Sequence, residues 1–157
     1  MNTLFFSKNA TVCSLSEMNG LDADVTHISV SDHCGNENDT ITLFFTRFTQ
    51  LKEIVIGDEC FMNVDQLNLI GLSKLQKVVI GMNSFTKKKN GFGKELNRRF
   101  FLRNCRSLKE VRIGDYSFSD YASAVIESAC GWDEMMDSLT EIEEHRVWQQ
   151  YIPRKQH

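Results

Sequence analysis

The residues that could do chemistry are few, and several of them lie in one short stretch. Residues 31–35 read SDHCG, so Asp32, His33 and Cys34 are adjacent in the chain. A thiol becomes a catalytic nucleophile when a neighbouring imidazole takes its proton. Adjacent residues of an extended strand point to opposite faces, however, so this order does not predict a Cys–His pair. No P-loop, Gly-x-Ser-x-Gly or His-Glu-x-x-His phrase occurs in the sequence. We therefore predict a protein that is not an enzyme and has no catalytic residue and no cofactor.

Aspartates at equivalent positions raise the question of a calcium site. Asp32, Asp58 and Asp115 take the same place in three related phrases, but a fourth phrase has Met82 there. Calcium requires several oxygen ligands around one point, and the series is interrupted. The sequence favours solvated turn aspartates, and we predict no metal site.

The cysteines predict a reducing environment. Five of them stand at positions 13, 34, 60, 105 and 130, an odd number with no Cys-x-x-Cys pair. This fits neither a disulfide framework nor a zinc site. Cys34 and Cys60 take equivalent positions and could lie within disulfide distance, but two packed thiols are favoured. With no secretion signal at the N-terminus, we predict reduced thiols and a cytoplasmic, intracellular location.

Composition is that of an ordinary globular protein. The chain has 157 residues, of which 41% are hydrophobic and 25% charged, with a net charge of −3. These values exclude a disordered or fibrous class, and they give no global attraction to nucleic acid. No Gly-, Ser- or Pro-rich segment divides the chain, so we predict one domain over 1–157.

A repeated sequence phrase encodes the strands that are expected to position these residues. It occurs as LKEIVIGDECF (51–61), LQKVVIGMNSF (75–85) and LKEVRIGDYSF (108–118), with a weaker copy, VTHISVSDHCG, at 25–35. A second alternating run precedes each strong copy, at 43–51, 67–75 and 100–108. Each run has the period-two pattern of a strand with one buried face, and recurrence at this spacing predicts stacked repeats.

These phrases resemble the leucine-rich repeat superfamily, whose consensus is Leu-x-x-Leu-x-Leu-x-x-Asn-x-Leu. The residues of one phrase that fit it are Leu75, Val78, Ile80, Asn83 and Phe85. NCRSLKEVRIGDYSF (104–118) is similar to the BspA-like branch of that superfamily. The resemblance covers residues 25–118. It implies a mostly β leucine-rich repeat solenoid, with stacked parallel strands in a right-handed superhelix. It also implies a surface for protein interaction or adhesion instead of a catalyst.

Outward positions of the phrases form columns if the strands stack in parallel register, because equivalent residues then lie about 4.8 Å apart. The two columns are His27, Glu53, Lys77 and Glu110, and Ser29, Val55, Val79 and Arg112. Val55 and Val79 are either an interaction patch or simply good strand formers. We predict that the partner-binding residues of this sheet face are Glu53, Val55, Lys77, Val79, Glu110 and Arg112.

A basic insertion separates the last two phrases. TKKKNGFGKELNRR (86–99) holds six basic residues and one acidic residue. We predict that it meets an acidic partner through Lys87, Lys88, Lys89 and Phe92; the alternative is a solvated insertion. An acidic membrane surface or nucleic acid is an alternative function for this segment. Nucleic acid is less favoured because aromatic interleaving and an extended basic surface are missing.

The two ends are predicted to cover the repeats. Residues 1–24 form an N-terminal cap and residues 119–157 a C-terminal cap or tail, irregular or helical. Apolar residues at helical spacing are Trp132, Met135, Met136, Leu139 and Ile142, although SLTEI (138–142) could instead open another repeat. Trp148 and Tyr151 could alternatively anchor a docking helix on another subunit. We predict a non-catalytic interaction module or a structural subunit of a larger assembly, with an adhesin-like cell-surface protein as an alternative.

Overall fold

A computed structural model of the chain describes residues 7–37 and 41–126. Within these residues the chain forms nine strands and one short helix, α1 (Leu15–Asn19). The strands are β1 (Asn9–Val12), β2 (His27–Val30), β3 (Ile41–Phe44), β4 (Glu53–Ile56), β5 (Val64–Ile70), β6 (Lys77–Ile80), β7 (Glu95–Arg103), β8 (Glu110–Ile113) and β9 (Tyr121–Ile126). The predicted C-terminal cap begins at residue 119, and its first residues form strand β9 of the described chain. The rest of it, with the predicted helix, Trp148 and Tyr151, lies outside the described residues.

The strands belong to two parallel sheets. The five-stranded major sheet has the order β1-β2-β4-β6-β8, and the four-stranded minor sheet has the order β3-β5-β7-β9. From β2 onwards the chain alternates between the two sheets, so each strand pairs with the strand two elements further along. The side chains that point inward from both sheets belong to one hydrophobic core.

The prediction of a leucine-rich repeat solenoid with a right-handed superhelix is wrong. The structure has two small sheets of five and four parallel strands, and helix is limited to five residues of the described chain. The repeated phrase specifies only the strands of the major sheet. The runs between the phrases form a second sheet whose strands vary from four to nine residues and carry register shifts, so no uniform repeat unit is stacked.

The predicted neighbour relations within the major sheet are confirmed. β2, β4, β6 and β8 are each four residues long and pair without a register shift. The register brings together the columns His27, Glu53, Lys77, Glu110 and Ser29, Val55, Val79, Arg112. The alternation of buried and outward residues in each phrase therefore set both the strand limits and the strand pairing.

Aromatic rings join the two sheets in the core. Phe85 stacks on Phe61 and Phe118, with ring centroids 5.3 and 4.8 Å apart. Phe118 also stacks on Phe100 of β7 at 4.6 Å. Aromatic pairs at these distances contribute about 0.5–1.5 kcal/mol each beyond the burial of their area. The phenylalanines that end the three strong copies thus form one stack, which reaches the minor sheet through Phe118.

Close approach requires the glycine that follows each of the strands β4, β6 and β8. A Cβ on Gly57 would lie 2.2 Å from Asp32 Oδ1, and a Cβ on Gly81 would lie 2.2 Å from Asp58 Oδ1 and 2.7 Å from the carbonyl carbon of Gly57. The left-handed backbone conformation falls two residues after each of these glycines, at Glu59 and Asn83. Glycine is therefore required at these positions by close approach and not by a left-handed backbone.

Candidate interaction surfaces

The outer face of the major sheet, here called the major face, carries the six residues predicted for this sheet to bind a partner. Glu53 lies 3.7 Å from His27 Nε2 and 4.0 Å from Lys77 Nζ, and Glu110 pairs with Arg112. The structure therefore brings these side chains together as the columns predicted. Their charges compensate one another, which leaves a weakly polarised face.

Val55 and Val79 occupy the centre of the major face. They are direct neighbours on β4 and β6, and both are half-buried. Half-buried valines on adjacent strands suit a pleated sheet by their shape alone. The major face therefore has no large exposed apolar side chain among these paired positions.

The aspartates beside the major sheet bind backbone instead of metal. Asp32 Oδ1 accepts a hydrogen bond from the N–H of Asp58 at 2.8 Å, and Asp58 Oδ1 accepts one from the N–H of Met82 at 2.8 Å. Each carboxylate thus satisfies a donor in the next turn of the chain. Across residues 7–37 and 41–126, no group of three or more His, Cys, Asp or Glu side chains could hold a metal ion.

A second series of small side chains runs parallel to the aspartates. Ser84 Oγ donates to the carbonyl of Gly57 at 2.7 Å and accepts from the N–H of Cys60 at 3.0 Å. Ser117 Oγ makes the equivalent bonds to Gly81 and to the N–H of Ser84. The Cys60 thiol donates to a backbone carbonyl in the same way, and burial raises its pKa. This column holds the turns together.

Cys34 ends that column in a disulfide with Cys13. The prediction that all cysteines are reduced is wrong for this pair, because the pairing of β1 with β2 brings the turns that follow the two strands together. Of the other described cysteines, Cys60 and Cys105 are free and buried, while Cys130 lies outside the described residues. With Cys34 oxidised, the stretch SDHCG holds no thiol that a histidine could activate.

The basic insertion is held against the turns beside the major sheet. Lys89 Nζ lies 3.0 Å from Glu59 Oε1, and the N–H of Lys87 donates to Asp120 Oδ2 at 3.0 Å. The ring of Phe92 packs edge-on against Tyr116 at 5.5 Å and remains 48% exposed. Of the predicted residues, Lys88 and the side chain of Lys87 are exposed without a described ion pair, whereas Lys89 is paired.

Arg98 is not part of the basic surface, although it is one of the six basic residues of the predicted insertion. Its side chain is 1% exposed and lies 2.8 Å from Asp120 Oδ2 in an ion pair. It also donates to the carbonyls of Met62 and Val64 at 2.6 and 2.9 Å. The hydroxyl of Tyr121 donates to the same Val64 carbonyl, and burial raises its pKa. Arg98 is therefore a structural residue of the minor sheet.

The outer face of the minor sheet, here called the minor face, differs in character. Its outward, register-paired side chains are Thr42, Gln66, Arg99 and Ser123, then Phe44, Asn68, Phe101 and Val125, then Ile70 and Arg103. Phe44 is 57% exposed, and Phe101 and Val125 are half-buried. None of these ten positions is acidic; Glu95 lies at the start of β7, beyond the register shift.

Asn68 lies at the centre of the minor face. It is buried although it points outward, since its neighbours on the adjacent strands are Phe44 and Phe101. Its Oδ1 accepts a hydrogen bond from Gln66 Nε2 at 3.2 Å. The result is a fixed amide between two phenyl rings.

Sequence reasoning missed the minor face. The signal was present, because each of the runs LFFTRF and FFLRN places two phenylalanines side by side. In an alternating strand one of the two must point outward, at a position where a polar residue is expected. Phe44 and Phe101 are those outward rings.

Comparisons with protein-family models, curated proteins and solved structures find no match. They therefore do not identify a leucine-rich repeat or BspA-like family. In the part of the chain that the structure describes, no helix is long and apolar enough to cross a membrane.

Proposed function

We propose that this protein is a non-catalytic protein-interaction module that binds through the minor face. The observation that carries the proposal is the 57% exposure of Phe44, in register with Asn68 and Phe101 on a face that no described element covers. An exposed aromatic side chain beside a half-buried one is typical of interaction sites, where such residues supply much of the binding energy.

The major face and the insertion have a lesser role in the proposal. The ion pairs of Glu53 and Glu110 already engage the charges of the major face. The predicted residues there remain a candidate second contact. Lys87, Lys88 and Phe92 would add contacts at the side of the molecule where the chain enters β7.

Two locations are candidates for the protein. A cytoplasmic location remains a prediction from the sequence. The Cys13–Cys34 disulfide argues for an oxidising compartment, because reducing compartments keep such pairs open. This observation favours a second candidate, a secreted or cell-surface binding protein. Alkylation of thiols during lysis, followed by non-reducing peptide mapping, decides between the two: an intact Cys13–Cys34 peptide supports the oxidising location.

The interaction proposal is tested with two matched double variants used as bait in native extract. Phe44→Ser with Phe101→Ser alters the minor face, and Val55→Ser with Val79→Ser alters the major face. We expect the first variant to lose the proteins that the wild type captures and the second to keep them. Circular dichroism checks the fold, and Phe44→Ser alone avoids any effect of the half-buried Phe101. Retention by the minor-face variants, with loss by the major-face variant, contradicts the proposal.

A further inference from the structure

We infer that the partner of the minor face is an acidic polypeptide segment that also carries apolar side chains. The inference rests on the proposed protein-binding function and adds the chemistry of the partner. Its basis is a combination of exposed rings and arginines at positions that include no carboxylate.

Both charged side chains at the ten register-paired positions of the minor face are arginines. Arg99 is exposed on β7 and forms no ion pair with a described residue, and Arg103 follows on the same strand face. The molecule as a whole has a net charge of −3, so this face is basic against an acidic background. Carboxylates of a partner would meet favourable potential here and unfavourable potential elsewhere, which fixes the docking orientation.

The apolar part of the minor face favours a partner that carries apolar side chains in addition to acidic ones. The rings of Phe44 and Phe101 flank Asn68, so they stand on strands separated by one intervening strand. Strands lie about 4.8 Å apart, which places the two backbones roughly 9.6 Å from each other. An apolar side chain of a partner can therefore lie over the buried amide with a ring on each side.

The same features argue against single-stranded nucleic acid. Such ligands are held by an extended basic groove that follows the phosphates, with bases stacked on aromatic rings. The minor face offers only Arg99 and Arg103 as basic groups at its ten positions, on a protein of net charge −3. A peptide with a few carboxylates requires less positive charge than a polyanion does.

The basic insertion also favours an acidic partner. It runs directly into β7, the strand that carries Arg99 and Phe101, and its exposed Lys88 and Lys94 are basic. An acidic segment that lies on the minor face and continues past the start of β7 passes the single exposed carboxylate of Glu95 and then reaches Lys94 and Lys88.

Fluorescence anisotropy with defined peptides tests the inference on the full chain. The probe is a labelled peptide of four Glu-Glu-Leu-Leu repeats, which presents acidic and apolar side chains on each side when extended. The comparison peptides replace Glu by Lys or Leu by Ser, and a labelled oligothymidylate represents nucleic acid. We expect the acidic apolar peptide to bind most tightly, with an affinity that falls as salt is raised.

Variants locate the binding. Arg99→Glu is expected to weaken the acidic apolar peptide about tenfold, and Phe44→Ser by a similar factor. Lys77→Glu makes the same charge change on the major face and should alter the affinity less than about twofold. Arg99→Lys keeps the charge and should retain most of the affinity.

Several results overturn the inference. These are tighter binding of the Lys peptide, tighter binding of the oligothymidylate, equal effects of Arg99→Glu and Lys77→Glu, or no binding of the acidic peptide. If the acidic peptide fails but the Phe44 variants still lose proteins from extract, only the acidic character of the partner is wrong. If both assays fail, the proposed function fails with it.

Discussion

The major and minor sheets are made by the same alternation of buried and outward residues, yet they differ in regularity. Major-sheet strands are each four residues long and keep one register, whereas minor-sheet strands range from four to nine residues with two register shifts. The regular sheet pairs its outward charges; the irregular sheet exposes Phe44 and Arg99. The repeated phrase therefore builds the framework, whereas departures from the repeat leave an aromatic ring and a basic side chain exposed.

The two regions also differ in the interactions that stabilise them. Along the turns beside the major sheet, Ser84, Ser117 and the aspartates each accept a similar hydrogen bond from a backbone N–H. Beside the minor sheet, stabilising contacts are concentrated on the buried Arg98, which pairs with Asp120 at 2.8 Å and with Asp65 at 3.4 Å. Substitutions should therefore have unequal effects in the two regions.

The largest effect is expected at the buried ion pair. Asp120→Ala should lower the free energy of unfolding by about 3 kcal/mol, because it removes the shorter of the two carboxylate contacts of the buried Arg98 and leaves only Asp65 at 3.4 Å. Urea denaturation measures the loss. The double variant Arg98→Met with Asp120→Ala removes both charges and should recover part of that loss. A loss below about 1 kcal/mol for Asp120→Ala would show that the pair is not buried as described.

A smaller effect is expected in the serine series beside the major sheet. Ser84→Ala should cost about 1–3 kcal/mol, since the carbonyl of Gly57 and the N–H of Cys60 lose their shared partner. Ser84→Cys is the matched control. It should cost less, because the Cys60 thiol already makes the equivalent contact one turn earlier. Equal losses for the two variants, measured by urea denaturation, contradict this role of the hydroxyl.

A pH-dependent effect is expected at Tyr121 of the minor sheet. Burial raises the pKa of Tyr121 above its ordinary value of 10.0, so the folded state holds the phenolic proton at a pH where the unfolded chain releases it. The stability contribution is complete below pH 10 and is lost as the pH rises towards the folded pKa, by about 1.4 kcal/mol per pH unit. Tyr121→Phe should lack this component when both proteins are unfolded between pH 9 and 11. Parallel stability profiles contradict the burial of the hydroxyl.

The smallest effect is expected on the major face. Lys77→Ala should change the free energy of unfolding by about 0.2–1 kcal/mol, because its contact with Glu53 is 4.0 Å long and partly exposed. The loss should shrink further in high salt. A loss as large as that of Asp120→Ala would remove the proposed distinction between the two sheets.

Part of this arrangement could be predicted from the sequence, because alternation within the phrase determines which side chains are buried. Leu51, Ile54 and Ile56 are buried as the phrase requires, and the column of Glu53 and Lys77 follows from parallel pairing. The local pattern was sufficient to predict these buried and outward positions, since every copy of the phrase repeats it.

The rest depended on contacts between distant parts of the chain. Arg98 reads as a surface charge until Asp120 and the carbonyls of β5 and its preceding turn surround it. The disulfide of Cys13 and Cys34 requires the pairing of β1 with β2. The repeated phrase has no copy at β1, so the sequence did not predict that pairing. The leucine-rich repeat interpretation failed because the phrase described one sheet and left the second undefined.

The central claim is that the minor face binds a protein partner, and site-specific photo-crosslinking tests it most directly. Benzoylphenylalanine is placed at position 44 in one protein and at position 79, at the centre of the major face, in another. After irradiation in native extract, we predict discrete crosslinked proteins from position 44, which Arg99→Glu reduces, and none above background from position 79. Crosslinks from position 79 with none from position 44 would contradict the account.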